Sequence, residues 1–298
     1  MSEDRQWTGR TDGTGWMHKA LTGLFKVLPI PLMYLFMALV VPFYLIFNHK
    51  GYLAIYHYLH RRMGWGPLKA FWGCCVNHFL FGACLMDRFA AYAGRKFKME
   101  VPDLHLFNAL SEGEEGFLML ASHIGNPELC GYMLRSERKR MNAISFGGEK
   151  STVQASRTRM LGGNNIRLIE AGEDMGWLFT LGTALSDGEI VSIHADRVFG
   201  SPKTLEVELL DAPARIPEGP FAIAASRDLP VLAAFSLKTG LKRYHASIFR
   251  LDTPQMEGLS RPEKMQALAD KYALSVETVL KQWPLQWYNF YEFWDRKL

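Results

Sequence analysis

Gly116-Phe-Leu-Met-Leu-Ala-Ser-His-Ile-Gly-Asn-Pro-Glu128 joins two local signals that together define an α/β chain. Its first half is a short, unbroken apolar run. A strand that is apolar at every position, without alternation, is one buried on both faces, as in the middle of a parallel sheet. Its second half is a helix start. Asn126 is a good N-cap, Pro127 suits the first helical position, and Glu128 supplies an acid to the first turn. Gly125 allows a tight turn between the two.

The same alternation continues outward. Residues 141–146, 166–169, 189–194, 231–237 and 245–251 predict strands, and residues 205–209 alternate apolar and polar as a half-buried strand does. Helices are expected from Asp174 to Leu185, from 220 to 227, and from a capping box at Ser260-Arg-Pro-Glu263 toward Lys281. Strands interleaved with helices define an α/β class: a central, mostly parallel or mixed sheet flanked by helices.

Before this region lies a different kind of sequence. Residues 27–47 hold no charged side chain and are long enough, as a helix, to match a bilayer core of about 30 Å. They predict an N-terminal membrane-embedded helix, with Pro42 as a kink or re-entry point. Residues 1–49 are expected to form the anchor segment and 50–298 one catalytic domain, because no linker or repeat divides the remainder. The net charge of +4 is modest, but residues 50–100 carry eight Lys/Arg against two Asp/Glu, and residues 135–159 seven against two. Basic stretches beside apolar ones suit anionic lipid headgroups or an acidic carrier protein. They carry no nucleic-acid motif, so no nucleic-acid partner is expected. The four cysteines lack metal or disulfide spacing and read as reduced, buried thiols.

The candidate site is the strand-loop-helix corner. His123 follows the buried strand, where open α/β sheets place ligands, and an exposed imidazole there can accept a proton. Glu128 is the expected partner that fixes the tautomer, kept ionised by the helix N-terminus. No serine or cysteine pairs with His123, which favours direct attack by an activated acceptor. Arg197 offers a fork for phosphate, carboxylate or an oxyanion, and backbone N–H groups near Gly125 or Gly200 are further oxyanion donors. His194-x-Asp196 invites a metal-dependent lipid hydrolase with His123, but too few ligands accompany it, and no metal is expected.

The H-x-x-x-x-E block resembles the first motif of the lysophospholipid acyltransferase superfamily. The order of three segments resembles its lauroyl/myristoyl branch, the late acyltransferases of lipid A biosynthesis. They are His123 to Glu128, then Leu185-Ser-Asp-Gly-Glu-Ile-Val-Ser-Ile-His-Ala-Asp-Arg-Val-Phe-Gly200, then Gln286-Trp-Tyr-Asn-Phe-Tyr-Glu-Phe-Trp294. The resemblance implies an acyltransferase of the bacterial inner membrane, facing the cytoplasm. It implies an acyl carrier protein or acyl-CoA as co-substrate, no other cofactor, and a lipid acceptor. It also implies His123 as general base, with Asp196 and Arg197 in the acceptor or donor site. Asn126, Glu149, Lys150 and Gly200 join the expected substrate contacts; Glu149 and Lys150 are the nearest counterpart of a phosphate-gripping second motif, with Arg157 and Arg159 as other candidates. A non-catalytic lipid-binding protein on the same fold is the competing class.

Overall fold

The computed structural model describes residues 23–47, 49–146, 165–172, 176–198 and 203–294. Glu149, Lys150, Arg157, Arg159, Asp174 and Gly200 lie outside them.

The described residues open with a helical layer. Helix α1 (Ile30–Phe47) contains Pro42 and is followed by α2 (His49–His57), a single π-helical turn (Tyr58–Arg62) and α3 (Pro67–Tyr92). The sequence predicts one apolar helix here. Helix α1 supplies it over Ile30–Phe47, and the path then turns by 94° into α2; among the described residues α3 is long and apolar enough to match a bilayer as a single helix, and the bent α1–α2 pair is so if taken as one span. Helix α1 lies antiparallel on α3, with Tyr34 at Asp87, Met37 at Gly82 and Tyr44 at His78.

The α/β part follows as β1 (Lys98–Glu100), α4 (Leu104–Glu112), β2 (Phe117–Ala121), α5 (Pro127–Met133), β3 (Met141–Phe146) and β4 (Ile166–Ala171). Then come α6 (Gly176–Ser186), β5 (Ile190–His194), β6 (Thr204–Glu208), β7 (Pro213–Pro217), α7 (Gly219–Arg227), β8 (Val231–Gly240), β9 (Arg243–Arg250) and α8 (Arg261–Gln282). Seven strands form one sheet in the order β1-β9-β8-β2-β5-β3-β4, parallel except for the β8–β9 hairpin; β6 and β7 pair separately. The mixed α/β class and the buried central strand are therefore as expected. Strand β7, with a proline at each end, was not expected, and a two-stranded ribbon tolerates those prolines because its outer edge needs no N–H.

Every residue of β2 is buried, and they sort by parity. Leu118 and Leu120 face a core with Val191, Phe235, Phe221 and Tyr272, under α6, α7 and α8. Phe117 and Met119 face a second core with Phe107, Cys130, Leu232 and Ile248, under α4 and α5. Burial on both faces explains the unbroken apolar run.

Candidate active site

Strands β2 and β5 run parallel and in register, Ala121 beside His194. Continued two residues past the strand ends, the same register sets His123 beside Asp196. The two meet closely. His123 Nδ1 lies 2.8 Å from Asp196 Oδ1, and the His123 backbone N–H donates to Asp196 Oδ2 at 2.7 Å. The carboxylate is almost fully buried, while the imidazole is about a quarter exposed. A carboxylate at Nδ1 selects the tautomer with the proton on Nδ1 and leaves Nε2 as the acceptor. Burial acts to raise the Asp196 pKa, but the neighbouring His123, Arg197 and His194 outweigh it and hold the carboxyl below the usual carboxylate range. The His194 ring packs against that of His123, centroids 4.7 Å apart.

The partner of His123 at Nδ1 is therefore Asp196, a role the sequence assigns to Glu128. Glu128, in the first turn of α5, bonds the guanidinium of Arg88 on α3 at 3.0 Å. The reason is direction: two parallel strands deliver Asp196 along the sheet edge, whereas Glu128 departs with its helix toward α3. Asn126, expected at the substrate, is spent on protein partners. Its Oδ1 accepts from Leu129 N, as a cap does, and its Nδ2 donates to the Cys84 carbonyl and Tyr244 hydroxyl.

The loop carrying His123 is pinned on both sides. Asn126 N–H donates to the Ser236 carbonyl of β8, and Gly125 N–H donates to the Gln286 carbonyl. The His123 carbonyl accepts from Tyr288 N–H. Gln286 binds β8 with both ends of its amide, accepting from Lys238 N–H at 2.8 Å and donating to the Lys238 carbonyl at 2.9 Å. Residues 285–288 thus form a strap across the loop, and Asn77 of α3 holds it through the Leu285 and Trp287 carbonyls. Gly125 has φ +64, and a Cβ there would sit 1.9 Å from the Ser236 oxygen, so only glycine fits. The N–H groups of His123, Gly125 and Asn126 are all engaged, and that of Ile124 faces Ser122 Oγ at 3.3 Å. The expected oxyanion donors near Gly125 are thus occupied.

Arg197 remains beside the dyad. One terminal nitrogen donates to the Tyr288 carbonyl at 2.7 Å, its guanidinium lies over Tyr291, and its buried Nε has no partner among the described residues. The aromatic ending divides: Trp287 is core, while Tyr288 meets Phe81 of α3 at a tilt and Phe290 meets it edge-on. Of the residues expected at the site, the structure brings His123, Asp196 and Arg197 together; Gln286 was not among them, and Asp196 was expected in the acceptor or donor site rather than at the His123 ring. Only the β2–β5 register carried that signal. Among the described residues no three His, Cys, Asp or Glu side chains assemble as metal ligands.

The sequence matches the family model of bacterial lipid A biosynthesis acyltransferases over residues 89–296. Comparison with curated proteins returns no significant match. The matched region contains the whole sheet, His123, Asp196 and the strap, and covers more than half of the chain; this protein belongs to the bacterial lipid A biosynthesis acyltransferase family and is an acyltransferase.

Proposed function

We propose that the protein transfers a fatty acyl group from an acyl thioester, carried by acyl carrier protein or coenzyme A, to a hydroxyl or amine of a membrane lipid at the cytoplasmic face of the bacterial inner membrane. The observation that carries this reading is the His123–Asp196 pair at the carboxyl edge of the sheet, inside the family-matched region. His123 Nε2 removes the proton from the acceptor as its oxygen or nitrogen attacks the thioester carbon. Asp196 holds the ring and stabilises the imidazolium that forms. The tetrahedral intermediate collapses by breaking the carbon–sulfur bond. The departing thiolate takes the proton back from His123, leaving ester or amide and free thiol. Arg197 supplies positive charge next to the dyad for the oxyanion.

The test is transfer of a radiolabelled acyl chain from a thioester into extracted lipid. His123→Ala is expected to lose at least about two orders of magnitude in turnover while remaining folded, as circular dichroism checks. Unchanged transfer by that variant contradicts the mechanism.

A further inference from the structure

The outward faces of α1 and α3 are apolar and exposed among the described residues. Leu35, Phe36, Leu39 and Phe43 of α1 are 59–65 % exposed, and Leu68 and Trp72 of α3 are 79 % and 65 % exposed. An open cleft of about 850 Å³ between the helices is walled by Val41, Leu45, Phe71, Trp72, Val76 and Phe79. An exposed apolar surface of this extent marks an interaction site.

Both ends of this surface are basic. At the start of α1, Arg95 ties down the Phe25, Lys26 and Leu28 carbonyls, and Tyr34 reaches the Leu241 carbonyl. This gathers the exposed Lys26, Lys96, Lys98, Lys242 and Arg243, the last in register with Lys98. Glu100 is the acid nearest in sequence. At the other end stand exposed Lys50 and Lys69. None of these seven basic side chains forms an ion pair within the described residues.

The inner face of α3 decides the orientation. Part of its burial, at Gly82, Met86, Phe89 and Ala90, is against α1 and the residues before it, but Asn77 bonds Trp287, Asp87 bonds Lys238, Arg88 bonds Glu128, and Ala70 and Ala91 pack into cores shared with the sheet. The sheet domain therefore lies alongside most of the length of α3. Upright in a bilayer, α3 would carry that domain into hydrocarbon, with its polar loops unsatisfied.

We propose that α1 and α3 dock flat, as a pair, in the headgroup–acyl boundary of an anionic leaflet, with the basic side chains at both ends on lipid phosphates. The cleft receives acyl chains of that leaflet. The inference deepens the proposed function, since it rests on a lipid acceptor arriving laterally, yet it is tested separately.

The full chain is sedimented with phosphatidylcholine vesicles with and without 30 mol% phosphatidylglycerol (about one lipid in three). Binding is expected to need the anionic lipid and to weaken at least several-fold between low and physiological salt. Phe36→Glu/Leu39→Glu and Lys96→Glu/Lys98→Glu/Lys242→Glu should each lose vesicle binding while retaining transfer to detergent-dispersed acceptor. Transfer retained without binding separates this proposal from the catalytic one. Lys26→Cys and Lys50→Cys, each labelled by an impermeant maleimide on sealed vesicles, should both react from the outside. Protection of only one shows a span and overturns the proposal. Lysine variants that still bind vesicles but fail only with acyl carrier protein as donor assign the basic ends to a carrier, and overturn it as well.

Discussion

His123 is held by a single buried carboxylate at both its backbone and its ring, and this double grip sets its rotation. Asp196→Asn keeps the shape but offers a donor where an acceptor is needed, which favours the wrong tautomer. A loss of about 10²–10⁴-fold in kcat with little change in KM is expected, read by steady-state acyl transfer. Glu128→Gln is expected to cost less, because Glu128 answers to Arg88. The double change with Arg88→Gln should be clearly non-additive in a mutant cycle. The depressed Asp196 carboxyl also makes a pH statement. Its contribution to stability is complete above the unfolded value of about 3.9 and is lost as pH falls through the folded value. Urea midpoints should therefore fall more steeply below about pH 4 in the wild type than in Asp196→Asn.

At the scale of elements, the strand-loop-helix corner works because the loop is paired like a short strand, between Ser236 on one side and Gln286 to Tyr288 on the other. Gly125→Ala drives a methyl into the Ser236 carbonyl and should destabilise by more than about 2 kcal/mol, measured as a shift in the denaturation midpoint. The corner itself was legible in the sequence. The apolar run of β2 and the Asn126-Pro127 start are local signals, and both elements lie where expected. The identity of the partner carboxylate was not legible. It depends on β2 pairing with β5 in one register, a contact across 73 residues that no local pattern encodes. The strap was hidden for a similar reason, since Gln286 looks like one polar residue in an aromatic run until β8 is placed beside it.

Across the whole molecule, the helical layer and the sheet are joined by a buried polar junction. Lys238 of β8 bonds Asp87 of α3 at 2.6 Å, and Tyr34 of α1 and Tyr244 of β9 donate to the same carboxylate. Lys238→Met strands that carboxylate and is expected to cost about 3–5 kcal/mol, whereas Lys238→Met with Asp87→Leu should recover much of the loss. Calorimetric melting of the three variants checks this. The N-terminal layer was only half legible for the same reason: composition shows apolar helix, but the turn at α1–α2 and the packing of α3 along the domain are tertiary facts. Whether His123 with Asp196 acylates a membrane lipid is read out by lipid mass spectrometry. The cells lack the gene and are complemented by wild type, His123→Ala or Asp196→Asn. The account predicts one lipid species short of a single acyl chain, restored by wild type and by neither variant at equal protein level. Full restoration by Asp196→Asn would contradict it, as would a lipid profile that does not change when the gene is removed.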